Sequence, residues 1–309
     1  MIRRPPRSTH CISSAASDVY KRQIHKDKEK ILSFEIETPQ FRQLKAHIFF
    51  ISSSKIPNSF NDIFIQFTDE STHIRSEKIR TDFVANASHE LRTPLTSIMG
   101  YIETLQGHAK KDVKMQRVFL DLMNKQAGKM ERLISDLMSL SRLEIDELKP
   151  FSSTCSVYEI FEELVNSLKP LSLDNNISLA FKIPKNFSSV IGDPSQLRQL
   201  FSNLIENAIK YSGKKSKVNI YISKEKNKDM FGVVVEDNGH GIAPEHLSRL
   251  TERFYRANSN TEIEKEGTGL GLSIVKHILI RHRGKLQIDS KLGKGSKFIA
   301  WLPKMKKTS

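Results

Sequence analysis

The 309-residue chain predicts a multidomain protein: an all-α helical hairpin that makes a four-helix bundle as a dimer, followed by an α+β sandwich, with a short β segment ahead of both. Three observations predict this. Phe83, Ala87, Leu91, Leu95, Ile98, Ile102 and Leu105 recur at steps of three or four, and a second stripe runs through Phe119, Met123, Gln126, Met130, Leu133, Leu137 and Leu140. Beyond residue 150 the apolar pattern switches repeatedly between strand and helix periods. Ahead of the stripes, residues 31–67 carry only short β-type runs.

The β segment reads as strands at 31–36, 44–51 and 63–67, with a turn-rich piece at 52–61. Three strands make a poor core, so they read as the tail of a larger domain, spanning residues 24–70. The two stripes define a helical region, 71–146, broken at 107–114 by a polar, glycine-containing stretch. Two antiparallel helices with such stripes do not close a core, whereas two copies make four helices, so a homodimer is expected. Packing within a monomer gives the same period, and periodicity alone does not separate the cases. From 150 to 304, helices are expected at 157–168, 194–211, 245–250 and 270–282. Strands are expected at 177–183, 218–223, 231–236, 285–289 and 297–301. Asp193-Pro194 is a strong helix start, an N-cap carboxylate followed by proline at the first helical position. Helices laid on one face of a mixed sheet give the sandwich.

Composition narrows the function classes. The net charge of +14 invites a nucleic-acid reading, but residues 1–30 alone hold eight Lys/Arg against three acids. The rest is spread without a basic stripe of interleaved aromatics, so direct nucleic-acid binding is not expected. Cys11 and Cys155 match no metal spacing and imply no disulfide framework. The longest apolar stretch, at 46–51, is far short of the ~20 residues that span a bilayer. Residues 1–23 have no apolar period, and Pro5 and Pro6 break any secretory signal. They resemble translated adapter sequence, so the natural N-terminus is expected to lie elsewhere and the fold argument begins after them.

His89 falls two residues after Ala87, about 200° round the helix from the apolar stripe, and so faces solvent. An isolated surface histidine is usually idle. Here Glu90 is a carboxylate beside the ring, able to hold one imidazole nitrogen protonated and the other nucleophilic. Thr93 stands one turn on, and Pro94 removes a backbone bond and bends the helix just past the histidine. The stretch FVANASHELRTPLTSI, residues 83–98, resembles the H-box of bacterial sensor histidine kinases almost residue for residue. The resemblance implies His89 as phosphoacceptor, Glu90 as its acid/base partner, and Thr93 as a support for dephosphorylation of the partner protein.

Four further segments follow in that family's order. NLIENAIKYS places Asn203 and Asn207 on one helical face, with Lys210 and Tyr211 after them. An asparagine pair is usually solvated surface, although the amide oxygen suits Mg²⁺ and lysine suits phosphate. The segment resembles the N-box, which implies Asn207 as Mg²⁺ ligand and Asn203 and Lys210 as phosphate-side groups. DNGHGI follows a β run; alone it suggests a turn, but it resembles the G1 box, with Asp237 reading adenine and Gly239 and Gly241 allowing close approach. ERFYRA resembles the F-box, with Phe254 beneath a polar lid at 258–266 and Arg256 able to meet phosphate. That box's usual first aromatic is absent, and Thr251 stands at about its position. Gly267, Thr268, Gly269, Leu270 and Gly271 open a helix, an arrangement that favours phosphate, and resemble the G2 box with Glu266 in place of a preceding glycine. No Gly-Lys-Ser/Thr follows, so it is not a Walker loop.

The resemblance covers roughly residues 71–303 and implies a two-component sensor kinase, using ATP and Mg²⁺, that passes the phosphoryl group to an aspartate on a response regulator receiver domain. YIETLQGHAKKD and MERLISDLMSLSRLE look closest to phosphate-regulon sensor kinases of alphaproteobacteria. The family resemblance also implies a PAS-like remnant at 24–70, a hinge near 143–151, and cytoplasmic domains anchored to the inner membrane by upstream helices. Two rival readings follow from the residues. ATPases of the gyrase, chaperone or mismatch-repair type share the nucleotide fold but lack an H-box. A degenerate interaction module is opposed by intact His89, Asn207, Asp237 and glycines.

Overall fold

The computed structural model describes residues 29–36, 42–51, 62–146, 149–151, 153–185, 187, 189–213, 215–223, 229–257 and 267–305. The adapter-like residues 1–23 and the lid with Glu266 lie outside these. The chain divides into two compact units at Val84/Ala85.

In the first unit, β1 (Glu29–Ile36), β2 (Arg42–Ile51) and β3 (Asp62–Asp69) form an antiparallel meander. Ile31, Ile65 and Phe67 remain exposed, so the expected shortage of core is present. The chain then enters α1 (Ser71–Gln106) directly. Asp69 accepts the Ser71 N–H at 3.0 Å, and those Ser71 hydrogen bonds hold its carboxyl below the usual range. Gln43 N–H donates to Ser71 Oγ at 2.8 Å, tying the helix start to β2.

Both long helices of the hairpin are present. After Gly107–Asp112, α2 (Val113–Ile145) begins at Asp112, whose carboxylate accepts the N–H groups of Lys114 and Met115. Near the loop, Tyr101 and Phe119 lie 5.6 Å apart and Gln116 bonds back to the carbonyls of Ala109 and Lys110. Among the described residues, no helix is long and apolar enough to cross a membrane.

The remaining elements build the sandwich: β4 (Thr154–Ser156), α3 (Val157–Asp174), β5 (Ser178–Lys182), β6 (Ser189–Ile191), α4 (Pro194–Tyr211), β7 (Lys217–Ile222), β8 (Met230–Asp237), α5 (Pro244–Leu247), α6 (Gly271–Arg281), β9 (Lys285–Lys291) and β10 (Gly295–Pro303). Five strands form one mixed sheet, β5-β7-β8-β10-β9, parallel only between β5 and β7. The core lies under the helices. Phe161 of α3 and Phe201 of α4 are fully buried 4.3 Å apart, with Leu197, Leu204 and Ile278 as shut from solvent. The opposite face of the sheet holds a smaller cluster of Val234, Ile299 and Trp301. There Tyr221 donates to Glu236, and burial followed by that carboxylate pushes the phenol up to about 12.

Four elements depart from expectation. The pair β4 and β6 was not predicted, because three-residue strands show no period; Gly192 and Ser153 clip them together through mutual hydrogen bonds. Helix α3 runs past 168 through Pro170 to Asp174, with Leu171 and Leu173 exposed in its last turn. It stops where Asn176 turns left-handed at φ 54°. The helix expected at 245–250 is one turn, α5, followed by turns.

The start of α4 is tied to the far end of α6. Asp193 caps α4 through Ser195 and Gln196, a contribution of about 1 kcal/mol. Its own N–H donates to His282 Nε2 at 3.2 Å, while His282 Nδ1 meets the Ile278 carbonyl at 2.8 Å. The buried ring is thus neutral with its proton on Nδ1. Phe151, in the expected hinge, stacks on it at 4.3 Å, and Arg281 covers Phe151; residues 147 and 148 lie outside the described residues.

Burial lowers the His282 pKa below its ordinary 6.5, and Arg281 lowers it further, while the Ile278 carbonyl and Asp193 pull the other way. A depressed value means the unfolded ring takes up a proton that the folded ring refuses. This contribution is complete above about pH 6.5 and is lost as pH falls through the folded value. Trp301 is the chain's single tryptophan and reports on this region. Its fluorescence in urea should give a midpoint that falls between about pH 6.5 and 5.5, with a shallower fall in His282→Gln. Equal slopes for the two chains would contradict the neutral, buried ring.

Candidate active site

Helix α4 presents its polar face to the segment that opens α6. Asn203, Asn207 and Lys210 are half-buried along that face, and Tyr211 is exposed at its end. Asn203 Nδ2 donates to the Gly271 carbonyl at 3.2 Å. A Cβ on Gly271 would lie 3.8 Å from Asn203 and 4.0 Å from Asn207, and one on Gly267 would lie 2.9 Å from Lys210 Nζ. Asn203, Asn207, Lys210, Gly267 and Gly271 are therefore brought together as expected. Leu270, fully buried, anchors the helix start, and its N–H meets Thr268 Oγ1. Gly269 turns at φ 71°, where a side chain would strike the Phe254 backbone; Phe254 N–H donates to Gly269 at 2.9 Å. Phe254 itself sits at φ 62°, an unfavourable conformation held by that contact.

Asp237, the last residue of β8, is 6% exposed. Its Oδ1 accepts from Gly239 N–H at 2.8 Å and Ser296 N–H at 3.3 Å, and among the described residues no bond ends on Oδ2. Burial raises the carboxyl above its ordinary range against the pull of those two donors. An acceptor oxygen is thus left for an external N–H donor. Gly239 and Gly241 make their close approaches to protein backbone. A Cβ on Gly239 would overlap Tyr211 O, and one on Gly241, at φ 70°, would overlap Lys291 O.

On α1, His89 is exposed, as its position off the stripe predicts, and its ring has no hydrogen-bond partner among the described residues. The carboxylate of Glu90 is not on that ring. It accepts from Arg256 at 2.7 Å, the pair being about one-quarter to one-third exposed. Thr93 Oγ1 donates to the His89 carbonyl at 3.2 Å, one residue before Pro94, which lies inside the helix. Arg256, which sequence assigns toward phosphate, is thus engaged with the helix that carries His89.

Other contacts join the second helix of the hairpin, α2, to the sandwich. Thr268 Oγ1 donates to Asp136 at 2.9 Å, Arg253 pairs with Glu144, and Ser139 donates to Gln199 at 2.8 Å. Burial raises the Asp136 carboxyl, with the Thr268 hydrogen bond opposing. Beneath them α2 packs on α6, and Leu133, Leu140 and Leu143 are its buried residues. A part-exposed ion pair contributes at most about 1 kcal/mol, whereas a buried leucine contributes about 1.5–3. The apolar seam holds the docked arrangement, and the polar contacts set its register. Asp136, Glu144 and Gln199 escaped the sequence reading because nothing separates them from other polar positions on an amphipathic helix.

Two family descriptions match the chain. "His Kinase A (phospho-acceptor) domain" covers residues 79–145, and "Histidine kinase-, DNA gyrase B-, and HSP90-like ATPase" covers 192–306. A phosphoacceptor helical domain joined to this ATPase fold defines a histidine kinase, and the chain belongs to the bacterial sensor histidine kinases. The phosphate regulon sensor protein PhoR of Pseudomonas aeruginosa is 41% identical over 223 residues, 72% of this chain and 49% of that protein. The chain spans about half the length of the curated relatives it matches. The solved histidine kinase AdeS of Acinetobacter baumannii is 25% identical with a TM-score of 0.52, over 70% of this chain and 98% of that one. Histidine kinase ThkA, solved in complex with response regulator protein TrrA, shares the fold at 20% identity and TM-score 0.57, over 96% and 84% of the two chains.

The Arg256–Glu90 pair can be tested by charge exchange. Arg256→Glu should speed amide hydrogen exchange across residues 268–270, and adding Glu90→Arg should slow it again. Exchange that is the same in all three chains would mean that the pair does not hold the docked arrangement.

Proposed function

We propose that the chain is an ATP-dependent protein-histidine kinase that phosphorylates its own His89 and transfers the phosphoryl group to an aspartate on a response regulator. The observation that carries this is the convergence of Asn203, Asn207 and Lys210 with the glycine segment at Gly267–Gly271, in one compact unit with an exposed His89. Phosphoryl transfer needs position and charge neutralisation more than covalent help from the protein. Backbone N–H groups at the start of α6 and Lys210 would take the phosphate charge, while Asp237 Oδ2 accepts from the adenine amino group.

The donor set fits Mg²⁺ held largely by substrate phosphates. The Asn207 side-chain amide, whose nitrogen stands beside Gly271, can offer a neutral oxygen, and no cluster of three His, Cys, Asp or Glu suited to a metal occurs among the described residues. Bound there, the ion would supply charge neutralisation on the phosphates. The His89 nitrogen bonds to the γ-phosphorus as the bond to the β–γ bridging oxygen breaks, and ADP leaves. Glu90 takes the imidazole proton, which requires Arg256 to release it first. Thr93 is placed one turn from the acceptor, where its hydroxyl can serve hydrolysis of the phosphorylated partner. Similarity to a phosphate regulon sensor protein supports phosphate-starvation signalling as the setting.

The chain acts as a homodimer in this reading. Leu95, Met99 and Ile102 on α1 and Ile134 and Met138 on α2 are exposed, an apolar surface that a second hairpin would cover. Sedimentation should report twice the 35.3 kDa chain mass, and a Leu95→Asp/Met99→Asp chain should sediment as a monomer. A wild-type monomer at micromolar concentration would refute the bundle.

Incubation with Mg²⁺ and γ-labelled ATP should place acid-labile label on the wild type and none on His89→Gln. Asp237→Asn keeps the Oδ1 acceptor but presents a donor to adenine, so its ATP affinity should fall about tenfold with the fold retained. Label persisting in His89→Gln would move the acceptor elsewhere.

A further inference from the structure

A second cavity lies apart from the nucleotide side. The turn after α5, the last turns of α6 and the edge strand β9 line an open cleft of about 490 Å³. That volume lies within the ~300–1,000 Å³ of small-molecule sites. Its floor is Leu279, 1% exposed, and its walls include Leu247, Leu286 and Ile288, all half-buried, with Ile280 exposed at the rim. Thr251 lines it at about the position where the F-box usually has its first aromatic. The cleft is therefore an apolar seat whose ring is missing, since threonine is too small to fill it.

Charge at the cleft has one sign. Lys276 lines it, and among the described residues no carboxylate does. Lys285 also borders the cleft, but its ammonium lies 6.0 Å from the Trp301 ring, in the cluster on the other face of the sheet, so it contributes stem and backbone only. Strand β9 is the edge of the sheet. We propose that this cleft binds a small aromatic anion, a ring bearing one carboxylate or sulfonate. The ring takes the seat left by the absent aromatic, and the anionic group meets Lys276. The bound molecule touches the turn at 247–251, which runs directly into Arg253 and Arg256, the residues paired with Glu144 and Glu90. Occupancy thus reaches the docking contacts through a single turn.

The test uses the full chain and the fluorescent aromatic sulfonate 8-anilino-1-naphthalenesulfonate. Wild type should show saturable, single-site enhancement. Thr251→Phe fills the seat and should abolish it, while Lys276→Gln, which leaves the apolar lining intact, should weaken it about tenfold by removing the charge-assisted contact. Absence of saturable binding overturns the proposal, as does equal binding by wild type and a folded Thr251→Phe. Should Thr251→Phe not fold, Lys276→Glu decides: equal binding by that chain and wild type overturns the proposal, and lost binding supports it.

Discussion

Everything at the candidate site depends on α4 having two faces. Leu197, Leu200, Phe201, Leu204, Ile205 and Ala208 are driven into the core, so rotation of the helix about its axis would expose several fully buried large side chains. At 100° per residue that burial leaves Asn203, Asn207 and Lys210 together on the arc that flanks it. Hydrophobic packing thus aims the polar groups. The Asp193 cap fixes where the helix starts, and His282, accepting from Asp193 N–H, fixes that cap against α6. Because α6 begins at Gly271 beside Asn203, the two ends of the same helix connect the cap and the site.

The glycines show how backbone constraint serves the site indirectly. Gly239 and Gly241 are needed because the Asp237 loop runs against Tyr211 and Lys291 backbone, which brings the end of β8 to the end of α4. Gly269 does the same between the α6 entry and Phe254. A side chain at any of them would push apart segments that together bound the cradle. Their role is to let three stretches distant in sequence share a few ångströms.

Much of this was legible beforehand, and the exceptions share a physical cause. The long helices, the Asp193 start and the strands of the large sheet all came from periodicity and caps, which are local signals. His89, Asn203, Asn207 and Asp237 were legible from motif, and the structure places each on the expected element. The partners of Glu90 and Thr268 were not, because Arg256 and Asp136 lie 166 and 132 residues away and only tertiary docking pairs them. The consequence of Thr251 was equally hidden. Sequence marks the missing aromatic, but the cleft requires α6 and β9 to stand where they do.

The docked arrangement draws its polar contacts from residues that the proposed chemistry also needs. Glu90 cannot take a proton from His89 while its carboxylate neutralises Arg256. Thr268 belongs to the segment that would cradle phosphate, yet its hydroxyl is given to Asp136, a carboxylate already resisting ionisation because it is buried. A polyphosphate laid along Gly267–Gly271 brings negative charge toward that carboxylate, and its repulsion favours separation of the two elements. Each polar contact is worth about 1 kcal/mol or less, so charge of this size is enough to shift the balance. In the proposed reading, docking and phosphorylation thus compete for Glu90 and Thr268. The arrangement described, with Glu90 engaged by Arg256 and the His89 ring unpartnered among the described residues, would then be one in which His89 lacks its proposed base.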